Sequence, residues 1–324
     1  MLHRYPLTTL FTTFTILLAI ADADILLFLT TLIFGVPAGA YAGQVVWITG
    51  ASSGIGEALA YEFAKGNATL VLSARREDRL RSVLARCMDL GAAPASSVEL
   101  LDVATELPQL SAVVERVLGR VRRLDVLVLN AGATQRGLAA DTPLPAVRQL
   151  MELNFFAAVE HARLALPHLT ASPTGGQIVV TSSFTGKIGT PVSTAYSATK
   201  HALHGFFGGM RAEVPASMRI TMVCPGPVQS EIALAAGVKE GNENKMPTGR
   251  AAELMLSATY HGFMEAWISP HPPLLFLYLG QYLPSVTAYI SARGPGRARV
   301  EAFRKGVDLF SNEAWSEMAK AAAK

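Results

Sequence analysis

The chain has 324 residues, a formal net charge of +3 and only 16% charged residues. So small a net charge argues against a nucleic-acid partner, and no basic cluster stands out along the chain. The two cysteines and seven histidines form no CxxC pair and no metal-spaced cluster, so no metal site is predicted. Hydrophobic residues make up 50% of the chain, and their excess lies at the two ends, which points to contact with a membrane.

The N-terminal segment, predicted as a membrane anchor and linker over 1–43, holds two apolar runs at 7–20 and 25–36. Asp22 and Asp24 separate the runs, and neither reaches the ~20 residues that cross a bilayer comfortably. Three interpretations stay open. They are a short transmembrane signal-anchor helix followed by a segment that lies on the membrane, a cleaved signal peptide, and a helical hairpin or appendage of the main domain.

A short apolar run at 45–48 leads into a glycine-rich turn and then into a helix. The turn reads Thr49-Gly-Ala-Ser-Ser-Gly-Ile-Gly56, with the spacing GxxxGxG. Glycines let the backbone approach a pyrophosphate, and the helix N-terminus supplies free N–H groups and partial positive charge. This pattern predicts the phosphate-binding corner of a dinucleotide fold, with cofactor contacts from Gly50, Ser52, Ser53, Gly54, Ile55 and Gly56.

The second predicted strand, 69–72, is followed by Arg75 and Arg76. A fold that prefers NAD usually carries an acidic residue at this point for the ribose 2′-hydroxyl. Two arginines suit a 2′-phosphate instead, because a guanidinium can bind a phosphate through two parallel hydrogen bonds. We therefore predict NADP(H) as the cofactor. The alternative is that both arginines only solvate the helix that follows.

Further strands are predicted at 98–101, 124–129, 177–181, 219–223 and 265–268, with helices between them. This alternation predicts an α/β protein with a doubly wound parallel sheet, the Rossmann fold, in a single catalytic domain over 44–270. Ligands of such a sheet bind beyond the carboxyl ends of its strands. The strand-end residues predicted to contact the cofactor are Asp102, Val103, Asn130, Ala131, Gly132, Pro225, Gly226, Val228 and Ser230.

Tyr196 and Lys200 are four residues apart, which places them one turn from each other on the same face of a helix. Apolar residues recur with helical spacing over 202–210 and support that helix. A nearby positive charge favours the phenolate and makes a tyrosine more acidic. Such a pair can pass a proton to or from an alcohol oxygen.

Together these motifs resemble the short-chain dehydrogenase/reductase family over about 44–270. They are the glycine turn, Asn130-Ala-Gly132, Asn154, Ser183 thirteen residues before Tyr196, Lys200, and Pro225-Gly226, in the family's order. Ser182 is the rival to Ser183, but the spacing favours Ser183. Stretches 200–207, 224–230 and 265–269 resemble a membrane-bound branch of that family.

The resemblance implies an NADP(H)-dependent oxidoreductase with Asn154, Ser183, Tyr196 and Lys200 as its catalytic set. Tyr196 would be the general acid/base, and Lys200 would lower the pKa of Tyr196 and hold the nicotinamide ribose. Ser183 would bind the substrate oxygen together with Tyr196, and Asn154 would hold a water that links Lys200 to solvent. The resemblance also implies a small apolar carbonyl or alcohol substrate (a retinoid, a steroid or a xenobiotic) and the endoplasmic reticulum membrane.

The C-terminal extension, 271–324, contains an apolar stretch at 274–290 that Pro284 is expected to kink or end. Interleaved aromatic residues suit a membrane interface. Packing on the catalytic domain or across a homodimer interface is the open alternative. The stretch 230–246 is predicted to be a mobile loop that shapes substrate choice.

Two rival functions remain at this stage. One is a membrane-tethered nucleotide-binding scaffold with little catalytic role, which the apolar ends would suit but which gives no reason to keep both Tyr196 and Lys200. The other is the extended, epimerase-like branch of the same enzymes. That branch would show the spacing GxxGxxG, and the positions of Gly50, Gly54 and Gly56 argue against it.

Overall fold

A parallel sheet of seven strands forms the centre of the molecule, in a computed structural model that describes residues 7–103, 107–229, 245–309 and 311–322. The strand order is β3-β2-β1-β4-β5-β6-β7. The strands are β1 (Val45–Thr49), β2 (Thr69–Ala74), β3 (Ser97–Leu100), β4 (Val126–Leu129), β5 (Gln177–Thr181), β6 (Arg219–Pro225) and β7 (Glu265–Ile268). The predicted doubly wound parallel sheet is confirmed.

Helices cover both faces of the sheet, which explains why the central strands are apolar throughout. In β1, Val46 and Ile48 join the core on one face, and Val45 and Trp47 join the core on the other. The helices up to β6 are α1 (Leu7–Ile20), α2 (Ile25–Phe34), α3 (Gly54–Lys65), α4 (Glu77–Asp89), α5 (Leu110–Val121), α6 (Leu144–Met151), α7 (Ala157–Thr170) and α8 (Thr194–Met210). Between α6 and α7, one turn at Glu152–Phe156 is a π-helix.

The later helices are α9 (Thr248–Tyr260), α10 (Pro273–Tyr282), α11 (Pro284–Arg293), α12 (Pro295–Arg304) and α13 (Asn312–Ala322). Pro284 begins α11 after a break at Leu283, as its inability to donate a backbone hydrogen bond predicts. Residues of α12 and α13 pack with Val192 in a small separate core. The C-terminal helices therefore cover the connection between β5 and α8, which lies next to the site described below.

The second N-terminal helix is packed on the sheet domain. Leu27 and Phe28 of α2 are buried in the same core as α9. The Asp24 side chain caps α2 by accepting from the Leu27 N–H at 3.0 Å, and it also accepts from the Trp267 N–H at 3.0 Å. Asp22 forms a salt bridge of 2.7 Å with Arg250. The two aspartates that interrupt the apolar runs in the sequence therefore fasten this segment to β7 and α9.

No helix in the parts of the chain that the structure describes combines the length and the apolar character needed to cross a membrane.

Candidate active site

The glycine turn after β1 has the shape that its sequence predicts. Gly50 has φ +68°, and a Cβ on it would lie 2.9 Å from the Ala131 Cα, so glycine is required there. Thr49 Oγ1 accepts from the backbone N–H groups of Asn130 at 3.0 Å and Ala131 at 3.1 Å. These bonds join the ends of β1 and β4 and leave the N-terminus of α3 facing a large cavity.

The predicted turn residues divide into two groups. Gly50, Ser52, Ser53, Gly54 and Ile55 line the cavity. Gly56 supports the turn from behind, because a Cβ there would collide with the Gly50 carbonyl and lie 2.6 Å from Asn130 Nδ2. Its contact with a cofactor would therefore be indirect.

The two arginines after β2 lie at one end of the same cavity. Arg76 Nη2 donates to Ser52 Oγ at 3.2 Å, and Arg75 Nη1 lies 3.8 Å from Asp102 Oδ2. Val103 lines the cavity beside Asp102. Guanidinium groups thus flank the glycine turn, an arrangement that could hold a nucleotide carrying an additional phosphate.

Asn154 lies in the π-helical turn and is buried. Its Oδ1 accepts from the Ala133 N–H at 2.9 Å, while Nδ2 donates to the Ala133 carbonyl at 2.9 Å and to Thr199 Oγ1 at 3.0 Å. A Cβ on Gly132 would lie 3.0 Å from Asn154 Oδ1 and 3.7 Å from Lys200 Nζ. Asn154 therefore ties the strand-end turn after β4 to α8, close to Lys200. No local pattern in the sequence predicts this π turn, a feature often found at functional sites.

Ser183, Tyr196 and Lys200 meet at the carboxyl end of β5. Ser183 begins a short turn and accepts from the Thr185 N–H at 3.2 Å. Its hydroxyl also lies close enough to Tyr196 to lower the pKa of that phenol. Lys200 is buried and donates from Nζ to the Thr181 carbonyl at 2.8 Å. Its Nζ lies 5.7 Å from the centre of the Tyr196 ring. The predicted helix thus brings the phenol and the ammonium together on one wall of the cavity.

The acidity of this pair depends mainly on burial. Burial raises the pKa of Tyr196 to about 12, and the hydrogen bond from Ser183 opposes that rise. Burial also lowers the pKa of Lys200 to about 8. The sequence predicted that Lys200 would lower the pKa of Tyr196, but in the protein without a cofactor that pKa is raised. Loss of hydration disfavours the phenolate more strongly than the neighbouring groups favour it.

Ser182 is held away from this pair. Its Oγ lies 3.0 Å from His204 Nε2 and 3.4 Å from the Lys200 carbonyl. His204 Nδ1 in turn lies 3.5 Å from Glu265. Ser182 is therefore bonded to groups of α8, whereas Ser183 is the serine that interacts with Tyr196.

The remaining strand-end predictions fall after β6. Pro225, Gly226 and Val228 line the cavity. A Cβ on Gly226 would collide with Ser269 Oγ, so the close approach to β7 requires glycine. Ser230 lies outside the described residues.

The cavity has a volume of about 1170 Å³ and continues past Tyr196 to the C-terminal helices. The wall beyond Tyr196 includes Ile188, Phe276, Leu279 and Met318, and also the cationic side chains Arg136, Lys245 and Arg299. None of these residues belongs to a motif, and no local signal in the sequence marks them. This volume is larger than a nicotinamide dinucleotide alone would fill, so it leaves space for a second molecule beside Tyr196.

Comparisons with known proteins place these features in context. Residues 44–240 match the family model described as short chain dehydrogenase. The chain is similar to Dehydrogenase/reductase SDR family member 7 of Homo sapiens, with 41% identity over 281 residues, 83% of this chain and 82% of that protein. It is 43% identical to 11-beta-hydroxysteroid dehydrogenase A of Sesamum indicum over 192 residues, 59% of this chain and 54% of that protein.

Among solved structures, the fold is similar to that of an alcohol dehydrogenase from the archaeon Thermococcus sibiricus complexed with 5-hydroxy-NADP. The TM-score is 0.64 at 25% identity, covering 70% of this chain and 97% of that one.

Proposed function

The chain belongs to the short-chain dehydrogenase/reductase family of oxidoreductases, and from that premise we propose that it uses NADP(H) to interconvert a carbonyl and an alcohol on an apolar substrate. The observation that carries the proposal is the meeting of Ser183, Tyr196 and Lys200 on one wall of the cavity that the glycine turn opens into.

The proposed cofactor site runs from the arginines to the catalytic helix. Arg75 and Arg76 would bind the 2′-phosphate, and the turn at Gly50 would accept the pyrophosphate. Asp102 would contact the adenine, and Lys200 the nicotinamide ribose. The alcohol dehydrogenase named above, which is complexed with an NADP derivative, supports this choice. When bound, the nicotinamide supplies or accepts the hydride.

The protein's own part in the reaction is to hold and move one proton. With a pKa of about 12, Tyr196 carries its proton at neutral pH and can donate it to a carbonyl oxygen during reduction. Ser183 would donate a hydrogen bond to the same oxygen and stabilise the charge that develops there. Lys200 would then favour the phenolate that remains, because the lysine side chain is mainly protonated and positively charged below its pKa of about 8. Asn154 would hold a water that links Lys200 to solvent.

The proposed substrates are retinoids, steroids or xenobiotic ketones and aldehydes. Apolar side chains from α10 and α13, among them Phe276 and Met318, form the wall beyond Tyr196. The likeness to a hydroxysteroid dehydrogenase supports the same class.

We also propose that the protein acts at the endoplasmic reticulum membrane, with 1–43 and 271–324 as extensions of a catalytic domain at 44–270. Exposed apolar side chains support this proposal: Ile16, Ile20, Leu26, Leu32, Ile33, Phe34, Leu275, Tyr282, Leu283, Val286 and Tyr289. The two extensions touch, since the Ile25 N–H donates to Tyr278 Oη at 3.1 Å. Flotation with vesicles should be lost when Ile33 and Phe34 are replaced by serine. Unchanged flotation would count against this surface.

A homodimer is the remaining proposal from the sequence. Leu144, Phe156 and Phe206 are exposed on α6, the π-helical turn and α8, and Phe155 joins Phe156 to Phe206 through ring contacts. Replacing Phe206 by serine should convert the dimer into a monomer in analytical ultracentrifugation. A monomeric wild-type protein would contradict this assignment.

The test of the main proposal is a substrate panel. Purified protein is mixed with NADPH and with retinals, steroid ketones and quinones, and NADPH consumption is followed by absorbance. We expect turnover of at least one neutral member, faster with NADPH than with NADH. Tight nucleotide binding without turnover across the panel would instead support a membrane-tethered scaffold.

A further inference from the structure

Three cationic side chains from separate parts of the chain line the cavity beyond Tyr196. Arg136 follows the strand-end turn after β4, Lys245 precedes α9, and Arg299 lies on α12. All three line the same cavity as Ser183 and Tyr196. Apolar side chains also line this part of the cavity, among them Ile188, Phe276, Leu279 and Met318, so three charged groups from distant segments are unusual there.

These cations lie near the substrate end of the cavity. Arg299 Nε donates to the Pro191 carbonyl at 3.2 Å, and the Gly137 N–H donates to the Val192 carbonyl at 2.9 Å. Both acceptors belong to the connection that leads from Ser183 to Tyr196. The arginines assigned to the nucleotide lie at the other end, where Asp102 accompanies them.

The three cations also act on one another. Burial lowers the pKa of all three groups, and proximity to Arg136 further lowers the pKa of Lys245 and of Arg299. Asp308 opposes these effects on each of them. Among the residues that the structure describes, Asp308 does not line the cavity, and the one carboxylate that does is Asp102 at the nucleotide end.

Each of the three side chains interacts with other protein groups. What they share is a positive electrostatic potential inside the cavity. Grouping like charges under partial burial is unfavourable, and a bound anion offsets that cost. An arginine fork in addition matches a pair of oxygens on a carboxylate or a sulfate. The apolar wall between these cations and Tyr196 suits the body of the same ligand.

We propose that the preferred substrate is an apolar carbonyl compound with an anionic group at its far end, and that Arg136, Lys245 and Arg299 bind that group. This proposal rests on the proposed oxidoreductase function, because it assigns the reacting end of the substrate to Tyr196. It narrows the substrate class from neutral apolar carbonyls to amphiphiles that carry a carboxylate or a sulfate.

The test compares substrates that differ only in charge. A fatty acid with an aldehyde at its ω-carbon is compared with its methyl ester and its primary amide, and kcat/KM is measured with NADPH. A steroid ketone sulfate and the free steroid ketone form a second arm, which separates a carboxylate preference from a sulfate preference. We expect at least one charged compound to exceed its neutral partner by about tenfold to hundredfold, as for a hydrogen bond to a charged group.

Charge-removing variants locate the effect. In Arg136→Gln, Lys245→Gln and Arg299→Gln the ratio of kcat/KM for the charged over the neutral compound should fall by about tenfold each. Arg297→Gln removes an exposed charge from the same helix as Arg299, and we expect the ratio to stay as in the wild type. Arg299→Lys keeps the charge and should restore most of the ratio. Such a recovery would show that the loss in Arg299→Gln comes from the missing charge and not from misfolding.

A binding measurement separates this proposal from the proposed function. A saturated fatty acid and its methyl ester, which contain no reducible carbonyl, are titrated into the protein by calorimetry. Tighter binding of the acid, weakened in Arg299→Gln, supports the anion site even if no carbonyl is reduced. The anion site is overturned if acid and ester bind equally, or if charged and neutral compounds have equal kcat/KM. Turnover of the neutral compounds would still support the proposed oxidoreductase function in that case.

Discussion

Lys200 donates a hydrogen bond of 2.8 Å from Nζ to the carbonyl oxygen of Thr181, the last residue of β5. This bond fixes the ammonium at the edge of the sheet, 5.7 Å from the centre of the Tyr196 ring. We therefore expect Lys200 to act on the phenol through its charge and through the groups that it positions. The protonation state of Lys200 should then control the rate.

The first prediction concerns the pH dependence of carbonyl reduction. Burial lowers the pKa of Lys200 to about 8, so its positive charge is present below that pH and is lost as the pH rises through it. Tyr196, with a pKa of about 12, keeps its proton throughout. We expect kcat for reduction to decline above about pH 8, and Lys200→Met to be slower with no such decline. If Lys200→Met showed the same decline as the wild type, the decline would belong to another group. Lys65→Met, on the surface of α3, serves as the control.

The second prediction concerns the glycine turn. Gly56→Ala places a methyl group against the Gly50 carbonyl and Asn130 Nδ2, so it should destabilise the protein by roughly 1–3 kcal/mol and weaken NADPH binding. Gly119→Ala is the matched control, because a Cβ on this glycine of α5 meets no atom within 4 Å. It should stabilise the helix by roughly 0.5–1 kcal/mol. Thermal unfolding and NADPH titration measure both variants, and a Gly56→Ala protein with wild-type affinity would contradict the role of the turn.

The third prediction concerns the choice between NADPH and NADH. Arg76→Gln removes a guanidinium beside Ser52 and should reduce the preference for NADPH by about tenfold or more. Arg81→Gln is the control, because Arg81 pairs with Glu77 on the exposed side of α4. The ratio of the two dissociation constants, measured by fluorescence titration, gives the result. Equal ratios in both variants would mean that the arginines only solvate the helix.

Much of the fold could be predicted from local patterns. Apolar runs buried on both sides specified the strands, and the residues after each run could be assigned to the edge where ligands bind. That is why Gly50, Arg76, Asn130 and Tyr196 were expected near one cavity and are found there. The expectations for Gly50, Arg76 and Asn130 depended on the period of a few neighbouring residues and on the topology of a parallel sheet, whereas that for Tyr196 depended on the family resemblance.

The features that could not be predicted depend on contacts between distant segments. Asn154 lies in a π turn, and its amide satisfies both backbone groups of Ala133, a partner that no helical period reveals. Asp24 caps a helix and binds β7, whereas the sequence showed only an interruption. The direction of the Tyr196 pKa was missed because it depends on burial by the whole domain.

The fourth prediction concerns stability at acid pH. His161 is 1% exposed, its ring lies 4.4 Å from that of Trp47, and burial lowers its pKa to about 4. The unfolded chain therefore binds this proton more readily than the folded one. The resulting stability is present above about pH 6.5 and is lost as the pH falls towards about 4, by roughly 3 kcal/mol.

His161→Phe keeps a ring against Trp47 and removes this titration. Its unfolding free energy should fall less steeply than that of the wild type between about pH 6.5 and about pH 4. His168→Gln changes an exposed histidine of the same helix and should leave the slope as it is. Equal slopes in His161→Phe and the wild type, measured by urea unfolding at each pH, would contradict the assignment.

The central claim is that Tyr196 exchanges the proton with the substrate oxygen, and its most direct test is single-turnover oxidation of bound NADPH by a neutral ketone or aldehyde. Tyr196→Phe removes the hydroxyl and keeps the ring, and NADPH titration first establishes that the variant still binds the nucleotide. We predict a rate lower by roughly 10²–10⁴, as expected when general acid catalysis is lost. A Tyr196→Phe protein that binds NADPH and reduces the carbonyl at the wild-type rate would contradict the account.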